Sequence, residues 1–91
     1  MKKFKLTEDV LIQIIDEQAV IVSPSGGMIT TVNETGAFII RFLKNNKDVT
    51  LEELVRVVQA EFDAPKNIIT NDVLTFIEVM LTNKIVEKFD I

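Results

Sequence analysis

The chain has 91 residues, 47% of them hydrophobic, and no cysteine, histidine, tryptophan or tyrosine. Its length suits one domain around one core, while the missing cysteines exclude disulfides and thiolate chemistry and the missing histidines remove the usual agent of acid–base catalysis near neutral pH. Residues 1–46 carry five basic and five acidic side chains, and residues 47–91 carry five and nine, so the net charge of −4 sits in the second half and offers phosphates no basic face.

Met1-Lys2-Lys3 resembles the start of a signal peptide, but Glu8 and Asp9 interrupt before any apolar region, and no apolar run is long enough to span a bilayer. The expectation is a soluble, cytoplasmic protein with no membrane partner. The first strand is expected over residues 10–15, a β-branched apolar run that reads as mostly buried. Asp16-Glu17-Gln18 forms a turn into a second strand over 19–22. Ser23-Pro24-Ser25-Gly26-Gly27 is a strong breaker, and Met28-Ile29-Thr30-Thr31-Val32 forms a third strand. Tight turns between short strands predict an antiparallel meander. Asp9, Asp16 and Glu17 lie too far apart, on different strand faces, to hold a metal, so neither metal nor cofactor is expected.

Asn33 is a good N-cap for a helix that runs to about residue 43 or 44 and is apolar nearly all round, hence central. Gly36, in its first turn, signals close packing on the sheet. Thr50 and Glu53 form a capping box. The helix they open carries Leu51, Leu54, Val55, Val58 and Phe62 on one face. After the break at Asp63-Ala64-Pro65, a third helix begins between 65 and 71 and ends near 83. Its core stripe is Val73, Phe76, Ile77 and Met80, with Leu74 and Leu81 on one flank and Val79 towards the other. Residues 85–89 form a short extended tail that covers the core or pairs with a strand.

The expected fold class is therefore α+β: a three-stranded antiparallel sheet over about 8–32, three helices over about 34–83 and the tail, forming one domain over 1–91. This resembles a winged helix with the sheet placed first. A DNA-binding regulator of that kind needs an exposed basic helix, and the second helix carries only Arg56 among three acids. The third strand has neither lysine nor proline to block pairing. Its free edge either binds a partner, is covered by the tail, or pairs with a second copy in a homodimer.

The segments Val32-Asn33-Glu34-Thr35-Gly36-Ala37, Thr50-Leu51-Glu52-Glu53-Leu54, Phe62-Asp63-Ala64-Pro65 and Asp72-Val73-Leu74-Thr75-Phe76-Ile77-Glu78-Val79-Met80-Leu81 follow in an order and spacing that resembles the PqqD family. That family includes the precursor-peptide recognition elements of ribosomal peptide natural product biosynthesis. The resemblance covers roughly residues 8–87. Val32 stands where the family commonly has leucine. Asn83-Lys84 stands where it often has glycine, and asparagine tolerates the left-handed conformation that ends a helix.

The resemblance implies a non-catalytic peptide chaperone. The leader segment of a precursor peptide adds as a strand to the third strand, in the cleft beside the third helix, and is presented to a separate modifying enzyme, often of the radical S-adenosylmethionine class. Strand addition draws affinity from backbone groups and selectivity from side-chain pockets. The implied site is Gly27, Met28, Ile29, Thr30, Thr31 and Val32 on the strand, with Leu74, Ile77 and Leu81 as an apolar wall and Glu78 beside them to orient a basic leader residue. Ile77 reads more readily as core, Leu74 and Leu81 on the flank are the better candidates, and Val79 is the rival contact on the opposite flank. The junction at 33–37 is expected to seat the helix and to bind nothing itself.

Overall fold

The computed structural model describes residues 1–23 and 28–90. The elements run β1 (Lys2–Leu6), β2 (Leu11–Ile15), β3 (Gln18–Ser23), β4 (Met28–Val32), α1 (Glu34–Asn45), α2 (Leu51–Glu61), α3 (Lys66–Thr82) and β5 (Val86–Asp90). Strands β2, β3 and β4 form the expected antiparallel meander, with Ile12 opposite Ile21 and Val20 opposite Thr31. Strand β1 was not expected. It pairs antiparallel with β5, Lys2 opposite Asp90 and Leu6 opposite Val86, so the tail meets the start of the chain and not the meander. The pair is tied to the helices by Phe4, whose N–H donates to the Val49 carbonyl at 2.7 Å and whose carbonyl accepts from the Val49 N–H at 3.2 Å. Its lysine-rich sequence reads as solvated chain, yet Phe4 points into the core while Lys5 lies 3.9 Å from Glu87 and over the Phe89 ring.

The core lies between the inner face of the meander and the three helices. Ala19, Ile21 and Val32 enter it from the sheet, Ile39, Ile40 and Leu43 from α1, Leu54 and Val58 from α2, and Ile69, Val73 and Ile77 from α3. The Asn33 side chain accepts the Gly36 N–H at 3.0 Å and so caps α1. Helix α2 opens with both halves of its capping box: Glu53 N–H donates to Thr50 Oγ1 and Thr50 N–H donates to Glu53 Oε1, each at 3.2 Å. These bonds, the Thr50 backbone donor foremost and its hydroxyl next, hold the Glu53 carboxyl below its ordinary range. Phe62 falls just beyond the helix, and its ring meets Phe38 edge-on at 5.6 Å. Pro65 caps α3 from outside, its carbonyl accepting from Ile68 and Ile69.

Two expectations need correction. Strand β2 is largely exposed, with Leu11 at 64% and Ile15 at 51% accessibility. A run apolar on both faces of a strand does not reveal which face is covered, and these two residues lie with Ile29 on the outer side of the sheet, opposite the helices. The residue that stops α3 is Lys84, at φ 61°, and not Asn83, at φ −91°. Ile85 N–H returns to the Met80 carbonyl and Lys84 N–H to that of Leu81, the paired bonds of a Schellman motif. Met80 and Ile85, the residues at its two ends, are both buried in the core. Among the described residues no helix is long and apolar enough to cross a membrane.

Candidate functional site

Strand β4 pairs with β3 along its whole length, from Met28 opposite Ser23 to Val32 opposite Ala19. On its other side it has no strand partner among the described residues. The tail, the nearest candidate to cover that edge, is committed to β1. Backbone donors and acceptors on such an edge are satisfied only by solvent or by an incoming strand.

The edge borders a cleft of about 520 Å³ between β4 and α3. Thr30, Thr31 and Val32 form one side, the α1 entry at Asn33, Thr35 and Gly36 forms one end, and Asp72, Thr75, Phe76, Val79 and Met80 form the facing wall, with Ile39 beneath. The deepest of these, Val32, Ile39 and Met80, belong to the core. Val79, by contrast, is 46% exposed, an apolar surface left without a cover. Hydroxyl and amide groups rim the opening, and Asp72 is the one ionisable side chain among the lining residues. It belongs to neither ion pair found among the described residues, Met1 with Asp90 and Lys5 with Glu87. No group of three or more carboxylates that could hold a metal occurs among those residues.

Gly36 sets how closely the walls approach. A Cβ there would lie 2.7 Å from Phe76 Cε1 and 2.9 Å from Val32 Cβ. The glycine expected to seat α1 on the sheet therefore also brings α3 against the same point. Any side chain would drive the Phe76 ring or the Val32 strand outward. The junction at 33–37 also contributes cleft surface, beyond its expected role as a seat.

The structure distributes the residues named from sequence as follows. Thr30, Thr31 and Val32 line the cleft. Met28 and Ile29 belong to β4, but the Ile29 side chain points to the outer face and is 74% exposed. Gly27 lies outside the described residues. Leu74, Ile77, Glu78 and Leu81 are on α3 but not in the cleft wall. Ile77 is core at 2% exposure, Leu81 packs against the core from its edge, and Leu74 and Glu78 face solvent. The reason is helical phase. At about 100° per residue, Asp72, Phe76 and Val79 lie on one side of the buried stripe and Leu74 and Leu81 on the other. Periodicity defines both flanks equally; which one meets β4 depends on how the sheet wraps the helices. Val79, the rival contact, is on the cleft flank, and the signal that could have found it is Gly36, which marks where two elements touch.

The family described as coenzyme PQQ synthesis protein D (PqqD) matches residues 18–86. Among solved structures, "TbiB1 in Complex with the TbiA(beta) Leader Peptide" resembles this fold with a TM-score of 0.81 and 22% identity, over 91% of this chain and 94% of that one. A second, "Lasso peptide synthetase B1 complexed with the leader peptide", resembles it with a TM-score of 0.73 and 16% identity, over 93% of this chain and 98% of that one. At such identities the likeness establishes the fold. No curated protein matches the chain significantly.

Proposed function

We propose, from the premise that this chain belongs to the PqqD family, that it binds the leader segment of a ribosomally made precursor peptide and presents it to a separate modifying enzyme. The leader adds as a strand to the free edge of β4, through the backbone of residues 28–32, with its inward side chains against Phe76 and Val79 of α3. The observation that carries this reading is that edge: five residues without lysine or proline, paired on one side only among the described residues, beside a cleft with an apolar floor and a polar rim. In support, both similar solved structures hold a leader peptide. A chain without histidine or cysteine has little to catalyse with, so its part is to hold and deliver, and the chemistry belongs to the partner. We assign that partner to the radical S-adenosylmethionine class, on the strength of the family resemblance, and place the pair in the cytoplasm.

The test is a titration of isotope-labelled protein with the leader segments of precursor peptides encoded beside its gene. The expected result is saturable movement of the amide signals of residues 28–32, with slowed hydrogen exchange along the strand. Unmoved signals with every such leader would refute the reading. So would a protein that dimerises through β4 and excludes the peptides, which would make the edge a self-association surface.

A further inference from the structure

The cleft wall has a pattern that goes beyond accepting a strand. We propose that Asp72 selects leaders in which a lysine or arginine lies two residues from an apolar side chain. This rests on the strand-addition reading above and specifies what the strand must carry. Asp72 is exposed, lines the cleft, and takes no part in the ion pairs found among the described residues. Its neighbours in the cleft are hydroxyls, an amide and apolar groups, so no other full charge competes for a cation. One helical turn on lies Phe76, held against Gly36, and three residues further the exposed Val79.

The spacing determines the motif. Asp72 and Phe76 are four residues apart, about 6 Å along a helix axis. Side chains on one face of an extended chain repeat at about 6.6 Å. A peptide laid along this wall thus sets a cation at Asp72 when the side chain two residues away sits on Phe76 and Val79. A carboxylate at that position would meet Asp72 with like charge and lose on both counts. The net charge of −4 adds a general bias towards cationic peptides, but only a local carboxylate gives the bias a position in the peptide.

The experiment is selection from a displayed library of random twelve-residue peptides against wild type, Asp72→Asn and Asp72→Lys, with amide mapping of the winning peptides. Wild type is expected to enrich lysine or arginine two positions from an apolar residue, Asp72→Asn to lose that enrichment, and Asp72→Lys to replace it with acids. Single peptides carrying the basic residue should bind wild type roughly two- to fivefold more tightly than Asp72→Asn, as for an exposed ion pair, and the advantage should fade as salt is raised. Peptides that shift residues 28–32 but show no basic preference, or keep it in Asp72→Asn, would overturn the assignment of Asp72 and leave strand addition standing. If no peptide reaches β4 at all, the parent reading falls and this one with it.

Discussion

The molecule contains two small antiparallel sheets, and they treat their edges in opposite ways. Strand β1 is used on both sides, by β5 along its length and by Val49 at Phe4. Three lysines punctuate its five residues. Strand β4 is used on one side, carries no charge, and faces a cleft. Short strands of similar length can therefore be closed or left open within one fold, and side-chain chemistry tracks the choice. Of these two strands the paired one carries the lysines and the open one none, whereas β5, also paired on one side among the described residues, carries Glu87, Lys88 and Asp90. Edges without guards are usually hazards, so an unguarded one beside a cleft is where binding is to be sought.

The closed sheet is breakable at one residue. Phe4 is 7% exposed and, with the buried Val86, anchors the β1–β5 pair in the core. Phe4→Ala should cost about 3–5 kcal/mol, read as a lower denaturation midpoint, with exchange protection lost first across β1 and β5. Were the loss below 1 kcal/mol, the closed pair would be an ornament on the fold and the contrast would fail. At the open cleft the expected effect is smaller but local. In Gly36→Ala the new Cβ meets Val32 Cβ at 2.9 Å and the Phe76 ring at 2.7 Å. Overpacking of that kind costs about 1–3 kcal/mol, more than the roughly 1 kcal/mol by which alanine improves on glycine inside a helix. The variant should melt earlier and bind leader peptides more weakly. A stabilised variant would mean that α1 and α3 part easily.

A third change lies outside the β4 cleft and serves as the reference. Thr50→Ala removes the α2 cap at a cost of about 1 kcal/mol and should leave peptide affinity unaltered. Because Glu53 is held below its ordinary pKa chiefly by the Thr50 N–H and then by its hydroxyl, its contribution is present above the unfolded glutamate pKa and lost as pH falls through the folded one. The difference in stability between wild type and Thr50→Ala should narrow over that acidic range. The backbone N–H at position 50 is present in both proteins, so the narrowing reads the hydroxyl's share alone, and a constant difference down to low pH would show that the hydroxyl does not hold the carboxylate.

Much of the architecture was legible because it rests on local rules. The three strands of the meander, the Asn33 cap, the Thr50–Glu53 box and the break at Pro65 each follow from residues within a few positions of one another, and each appears in the structure. What escaped depends on distant partners. Strand β1 has only Phe4 and Leu6 as apolar marks among lysines, and it becomes a strand because residues 86–90 come to it. The exposure of Leu11 and Ile15 reflects the lack of a layer over the outer face. The helix stop moved by one residue because backbone bonds to Met80 and Leu81, rather than the tolerance of asparagine, decide which residue turns left-handed. For the cleft, the open edge of β4 was legible from the missing gatekeepers, whereas the facing wall required knowing which flank of α3 meets β4.

The pairing of β1 with β5 also bears on the order in which the chain assembles. The β2–β3 turn spans two residues, but Leu6 and Val86 meet across 79 intervening residues. Closing a loop of that size costs roughly 3 kcal/mol more in chain entropy than closing a tight turn, and such contacts form late. Strand β4, the edge proposed for the peptide, pairs with neighbouring sequence and is thus expected to assemble before the chain ends come together. The expected order is therefore the meander first and the joining of the chain ends last, so that the step completing the fold is the one farthest in sequence from the open edge of β4.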